Sequence, residues 1–417
     1  MAAVRIFAAD PAVVPAVNGA TLLDCYQRAK TISETVGIAQ ENITLAEAQI
    51  RTERGAVFPH INWIKTQEFQ DTSGNTSGAS AVASSLARSP IPTSFFQIQQ
   101  PIFAGLRDWR ALDIAKSVRE QSKYNRVQAD LQLLSDVATA FYNTFTLEQQ
   151  LTVLQDVRKI SQDRIEQLRH WVNVGRSRED EVISEETQMA VTDAQIEDTK
   201  RSLIEARHLL FFLTQVPVTT PLIDNRSLPA LMSSEDALTL AWKRPDLLAT
   251  AEMLRQANLN VRYAKGAHWP TVDAVGNYYT ERVGFLSDIR WDATITLDVP
   301  LFEGGSTQAG VDLARSQEII AQLTLARMKR DVERQVRSTN DSMQYALSTA
   351  VAYNKAVDMA IRNYKVQERE YSRGTISNLE LLQTLRDTQN TRTQAILARA
   401  SAKLNDVLLH VALGEGL

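Results

Sequence analysis

Apolar residues recur along this chain at two different periods. Leu134, Val137 and Phe141, then Leu147, Leu151 and Leu154, are spaced by three and four, the interval that lines one face of an α-helix. Small residues such as Ala138 and Ala140 are interleaved, which suits close approach of one helix to another. Elsewhere the period drops to two. Trp291, Ala293, Ile295, Leu297 and Val299 alternate with Asp292, Thr294, Thr296 and Asp298, and Val272, Ala274 and Tyr278 oppose Asp273, Asn277 and Glu281. These stretches predict strands of about ten residues, apolar on one side and polar on the other. An earlier, less regular pair is marked by Ile61, Trp63, Phe96 and Ile98, joined by a Ser/Gly/Thr/Ala-rich connector (71–89) that reads as a loop.

Proline placement extends the pattern. None of the twelve prolines falls within 102–216 or 301–417. Proline costs about 3 kcal/mol inside a helix, so tracts this long predict long helices. Each tract is interrupted once by glycine in a polar setting, Val174-Gly175-Arg176-Ser177 and Arg373-Gly374-Thr375-Ile376-Ser377. Glycine ends a helix readily and serine can cap the next one, so each tract is expected to fold into a helical hairpin near 175 and near 374. The arm from Gly105 to about residue 172 would be roughly 100 Å long at the α-helical rise.

The chain also repeats itself. Gly55-Ala56-Val57-Phe58-Pro59 returns as Gly266-Ala267-His268-Trp269-Pro270, 211 residues later. Pro101-Ile102-Phe103-Ala104-Gly105 returns as Pro300-Leu301-Phe302-Glu303-Gly304 after 199, and the same 199 carries Asp113 onto Asp312 and Gly175 onto Gly374. Two copies of one unit fused head to tail explain a constant offset, with the 12-residue difference confined to the strand pair. The expected organisation is an N-terminal extension (1–20), repeat 1 (21–216, β-hairpin about 59–101), a linker (217–234) and repeat 2 (235–417, β-hairpin about 270–300). Each repeat reads helix, β-hairpin, long helix, turn, helix.

Composition narrows the function. The content is 44% hydrophobic but 7% aromatic, lean for a compact core, and the net charge of −4 carries no basic stripe, which argues against a nucleic-acid partner. One cysteine, Cys25, excludes a disulfide framework and a multi-thiolate metal site. Leu22-Leu23-Asp24-Cys25 superficially resembles a lipoprotein box, but aspartate beside the cysteine does not suit one; a half-buried helix residue is expected instead. The five histidines are scattered without metal-ligand spacing, no nucleophile is paired with a base, and no glycine-rich phosphate loop follows a strand. No catalytic, cofactor or metal site is expected, and the chain does not read as an enzyme. Residues 1–19 have no basic start leading into an apolar run, so a signal peptide is not expected within the chain, and no run approaches the length of a membrane-spanning helix.

Strands of about ten residues with one apolar face have the length of tilted membrane β-strands. Four cannot close on themselves, and an open edge in lipid leaves backbone groups unpaired, so closure needs further copies: two chains supply eight strands, three supply twelve. Two soluble hairpins packed on helices, in a coiled-coil scaffold protein, are the alternative.

The order of these pieces, with Pro59 and Pro270 opening the strands and Pro101 to Gly105 and Pro300 to Gly305 closing them, resembles the TolC-type outer-membrane factors. Arg244-Pro245-Asp246-Leu247 resembles a signature of members serving multidrug and metal efflux pumps, and the turns at Gly175 and Gly374 resemble the family's periplasmic tips. The resemblance spans about Leu22 to Leu413. It implies a homotrimer in which long α-helical hairpins form a twelve-helix tunnel and four strands per chain join a shared 12-stranded barrel in the outer membrane. Such a duct is passive; it docks onto a periplasmic adaptor (membrane fusion) protein and an inner-membrane pump to export small molecules or metal ions. Type I protein secretion is the alternative within the same class. By the same resemblance, adaptor docking falls to Val174, Gly175, Arg176 and Ser177 and to Arg373, Gly374, Thr375 and Ser377. The pore gate falls to Glu380, six residues beyond Gly374, with Glu181 as its counterpart. The family's second acidic position is Gln383 here and Ser184 in the first copy, which argues against a double acidic ring. Arg244 and Asp246 read as structural, and Trp269, Tyr278, Tyr279 and Trp291 as candidates for an aromatic girdle.

Overall fold

The structure, a computed structural model, describes residues 19–69, 90–228, 230, 232–284 and 286–416. The expected loop at 71–89 and residues 1–18 of the expected extension lie outside them. In chain order the elements are α1 (Leu22–Ile32), α2 (Glu34–Val57), β1 (His60–Glu68), β2 (Ile91–Ala104), α3 (Arg107–Asn173), α4 (Glu179–Thr214), α5 (Ser234–Ala241), α6 (Pro245–Lys265), β3 (Thr271–Arg282), β4 (Trp291–Asp298), α7 (Ser306–Ser372) and α8 (Asn378–Leu413). The duplication is present in full. Helices α3 and α7 are both 67 residues long, and α4 and α8 are both 36. Each boundary of the second pair lies 199 residues beyond its counterpart, 306 against 107, 372 against 173, 378 against 179 and 413 against 214.

Residue contacts divide the chain into two compact units that cut across the repeats, one formed by Ala39–Arg126 with Asp246–Lys329, the other by the remaining segments. The first contains the four strands, in one antiparallel sheet of order β1-β2-β3-β4. Its register gathers the alternating residues into rows. Trp63 pairs with Phe96, Phe96 with Tyr278 and Tyr278 with Trp291, so one aromatic row crosses all four strands. Ile61, Ile98, Gly276 and Ala293 form the next row on that face, and Ala274 with Ile295 and Val272 with Leu297 continue it. Most of these side chains are exposed in the single chain, Ile295 at 73% and Trp291 at 69%. The opposite face is polar: the Gln97 amide donates to Asn277 Oδ1 (3.2 Å), and the Asn277 amide donates to Asp292 Oδ1 (2.8 Å). Tyr279 belongs to this second face, because successive side chains of a strand alternate and Tyr278 takes the first; it pairs with Phe95 (ring centroids 5.3 Å apart). It therefore lies on the face opposite Tyr278 and Trp291, which share the aromatic row.

The same unit joins the two copies closely. Gly105 adopts φ +64°, and a Cβ there would lie 2.1 Å from the Gly266 carbonyl oxygen, so only glycine fits. Beyond that point α3 packs against α2 through Ile50, Leu112 and Ala115. It meets α6 through a hydrogen bond from the buried Ser117 hydroxyl to Glu252 Oε2 (2.6 Å) and one from Gln256 to Gln121 (2.8 Å). Arg107 stacks over the Tyr263 ring at 4.7 Å.

In the other unit, α1 and the middle of α3 supply an apolar core that includes Leu22, Cys25, Leu134, Val137, Phe141 and Val407. Cys25 is fully buried rather than half-buried, and burial pushes its thiol pKa up to about 12. That places it in the core as a small apolar group. The segment after α4 is tied to α8 by Lys403–Asp224 (2.5 Å) and Arg226–Asp406 (2.6 Å). Arg244 is buried and donates to the Ala412 carbonyl at 2.8 Å, while Gly414 ends α8 in the left-handed region (φ +84°). Arg244 thus satisfies one of the carbonyls that a helix C-terminus leaves free, the structural role expected of it.

Candidate functional site at the glycine turns

Both interhelical turns have the same backbone. At the first, Gly175 (φ +74°) donates to the Val172 carbonyl and Arg176 to that of Trp171. At the second, Gly374 (φ +79°) donates to Tyr371 and Thr375 to Glu370. This is the Schellman pattern, in which a left-handed residue lets the last carbonyls of a helix be satisfied locally. Val174, Gly175, Arg176, Arg373, Gly374, Thr375 and Ser377 are exposed, and Ser177 is half-buried. The side chains around them are engaged locally, Arg373 with Glu370 (2.9 Å) and the Thr375 hydroxyl with Glu370 (2.8 Å).

The two copies part at the next position. Ser377 caps α8: its hydroxyl accepts from Glu380 N, and the Glu380 carboxylate accepts from Ser377 N (2.8 Å) and Oγ (3.0 Å). These bonds complete a capping box and hold the exposed Glu380 carboxyl below its usual range, so it stays anionic. In the first copy, Ser177 does not cap α4 as the sequence suggested. The N-cap there is Arg178, which has no side-chain acceptor. Glu181, in the position equivalent to Glu380, is thereby freed from capping. Its Oε2 accepts from the Ser177 hydroxyl and from the Tyr371 hydroxyl at 3.2 Å, which links α4 to α7.

Tyr371 is the residue that sequence reasoning missed. It is buried in a cluster with Ile165, Leu168, Val182 and Leu381, and burial is the first cause of a hydroxyl pKa pushed up to about 12. It is therefore a neutral donor at any physiological pH. Trp171 stacks beside it (5.7 Å between centroids, planes 28° apart), and the Arg164 guanidinium lies over its ring at 3.8 Å. Near them Glu185 is 1% exposed, and burial raises its pKa against the lowering influence of Ser161, Arg164 and Arg386. Nothing periodic marks Tyr371, because its partners lie up to 207 residues away. Lower on the hairpins, Arg386 donates to Gln188 (2.7 Å) and Gln389 to Gln195 (3.2 Å), so α8 is stitched to α4. Among the described residues no group of three or more His, Cys, Asp or Glu side chains is placed to hold a metal ion.

Two helical hairpins folded at glycine turns, together with a four-stranded sheet that has one apolar face, define an outer-membrane channel subunit. The outer membrane efflux protein family matches the sequence over residues 25–214 and 239–415, and the chain belongs to that family. It is similar to TtgC, a probable efflux pump outer membrane protein of Pseudomonas putida KT2440, at 22% identity over 91% of this chain and 80% of the relative. Similarity to the outer membrane protein TolC of Escherichia coli K12 is 21% over 94% and 82%. The solved outer membrane channel CmeC of Campylobacter jejuni shares the fold, with a TM-score of 0.82 at 16% identity over 95% of this chain and 86% of that one. The protein is an exit duct of the outer membrane that reaches into the periplasm.

Proposed function

We propose that three copies assemble into one duct, with a shared 12-stranded barrel and a twelve-helix tunnel. It docks onto a periplasmic adaptor and an inner-membrane pump and exports small molecules or metal ions. The observation that carries this reading is a set of contacts made once within the chain whose repeat-equivalents are unmade. Gly105 abuts Gly266, whereas the equivalent pair, Gly304 (φ +61°) and Gly55, each has open space among the described residues where a Cβ would be. Ser117 meets Glu252 and Gln121 meets Gln256, whereas their equivalents, Ser316 with Glu41 and Ile320 with Leu45, are exposed. Strands β1 and β4 are free edges of the sheet. A neighbouring copy that repeats the internal junction supplies all of these partners and closes the sheet.

The Gly175 and Gly374 turns, with Val174, Arg176, Ser177, Arg373, Thr375 and Ser377, are the adaptor-facing surface of this reading. The gate lies just behind them. The Tyr371–Glu181 hydrogen bond latches one hairpin to the other, and Glu380, held ionised by its capping bonds, contributes one carboxylate per chain to a ring that favours cations. Cargo choice belongs to the pump and adaptor; relatives named for antibiotic, toluene and cation efflux all match this chain at 22% identity. The test is the protein's mass in detergent together with single-channel conductance in planar bilayers. A trimer with a low resting conductance that rises in Tyr371→Phe is expected. A non-conducting monomer would sink the duct; a trimer indifferent to Tyr371→Phe would sink the latch alone.

A further inference from the structure

Arg164 occupies a place where packing alone favours an apolar side chain. It projects from α3 onto the cluster of Ile165, Leu168, Tyr364 and Tyr371. Its Nε and Nη2 are buried without a hydrogen-bond partner, while its Nη1 donates to Gln167 (2.8 Å). The desolvated cation is faced by the Tyr371 ring at 3.8 Å and the Trp171 ring at 5.8 Å, with the Glu185 and Glu368 carboxylates nearby. Glu185 in turn leaves Oε1 unpartnered. A buried charge is retained at this cost only where an attraction compensates it, and a cation over a ring is stronger when water is excluded.

The arrangement is absent from the second copy. Positions equivalent to Arg164, Trp171 and Glu185 are Asn363, Glu370 and Thr384, and the first-copy equivalent of Tyr371 is Val172. Arg164 therefore reaches from the first hairpin onto the one tyrosine of the second whose hydroxyl returns to the first at Glu181. Ring and hydroxyl are held by two residues of one hairpin.

We infer that Arg164 is the positioning residue of the latch: its guanidinium, seated on the Tyr371 ring, fixes the direction in which the phenol hydroxyl meets Glu181. The inference deepens the latch reading and rests on it. A packing role and a positioning role predict opposite orders among substitutions. Methionine, of similar length and uncharged, fills the apolar cluster better than lysine does, while lysine keeps a cation over the ring.

The experiment is single-channel conductance of the full-length assembled protein, with mass in detergent and thermal midpoint as folding controls. Arg164→Met is paired with Glu185→Gln so that no buried carboxylate is stranded. Arg164→Gln, which keeps a planar head without charge, stands in if that pair does not assemble. Arg164→Lys is expected to stay within about twofold of the parent. Arg164→Met/Glu185→Gln is expected to raise resting conductance by about 2- to 30-fold, the span of cation–π strengths, and to add nothing on a Tyr371→Phe background. If Tyr371→Phe opens the channel while Arg164→Met/Glu185→Gln conducts like the parent, the positioning role is overturned and the latch survives. If Tyr371→Phe is silent, the latch itself fails and the inference with it. Equal opening by the Arg164 variant on both backgrounds also overturns it, since closure would then run through some contact other than Tyr371.

Discussion

Arg178 and Ser377 hold equivalent positions, and the difference between them decides what two carboxylates do. Serine at 377 binds Glu380 into a capping box, while arginine at 178 has no hydroxyl to share with Glu181, so the Glu181 carboxylate reaches Ser177 and Tyr371 instead. Arg178→Ser would restore a hydroxyl to the N-cap of α4. The new cap is expected to stabilise α4 by about 0.5–2 kcal/mol and to draw Glu181 back toward its own helix, away from Tyr371. Thermal midpoint and resting conductance should therefore both rise, an unusual pairing for a substitution at a latch. A higher midpoint with unchanged conductance would show that Glu181 can serve both roles. At this scale the sequence was partly legible. An acidic residue six places after each glycine is visible, as is the matching of Glu181 to Glu380. The cap that separates them turns on one residue, and Tyr371 and Arg164 reach their partners across sequence distances that no local pattern records.

Elements were far more legible than their contacts. The period of three to four, the proline-free tracts and the glycine turn in a polar setting that breaks each one locate α3, α4, α7 and α8, because a long helix obeys local rules over its whole length. The period of two locates β3 and β4 in the same way, and the less regular β1 and β2 are marked only by Ile61, Trp63, Phe96 and Ile98. Hidden from such rules is how each helix treats its charges. Glu185 sits on the buried side of α4, faced by Ser161 and Arg164 from α3, Arg386 from α8 and Tyr364 from α7. Burial raises its pKa, so the folded bundle holds its proton more tightly than the unfolded chain does. The stability this contributes is complete below the ordinary glutamate range and is lost as pH rises through the elevated folded value. In thermal melts from about pH 4 to 8, the parent is expected to lose ground steadily against Glu185→Gln as pH rises. A difference between the two proteins that does not vary with pH would show that Glu185 ionises as an ordinary surface carboxylate.

For the molecule as a whole, the duplication makes each internal junction a template for an external one. Gly55 offers the cleanest test, because its effects within a chain and between chains differ in sign. It lies in the last turn of α2, and among the described residues nothing beyond its own turn of helix comes within 4 Å of the place a Cβ would take. Alanine therefore costs nothing locally and should improve helix propensity by about 0.8–1 kcal/mol. Its repeat-equivalent, Gly266, has no such freedom: a Cβ there would lie 2.7 Å from the Gly105 carbonyl oxygen and 2.6 Å from Arg107 Cγ. If Gly304 of a neighbouring copy approaches Gly55 as Gly105 approaches Gly266, the same methyl meets backbone only after assembly. Gly55→Ala is thus expected to leave the isolated chain as stable as the parent, or slightly more so, and to shift the mass in detergent from trimer toward monomer. Gly105→Ala, by contrast, should damage the chain before it assembles, because the clash is internal and φ there is already positive. A fully trimeric Gly55→Ala protein with parental conductance would mean that the junction between copies is not the internal junction repeated, and the quasi-sixfold arrangement of hairpins would have to be abandoned.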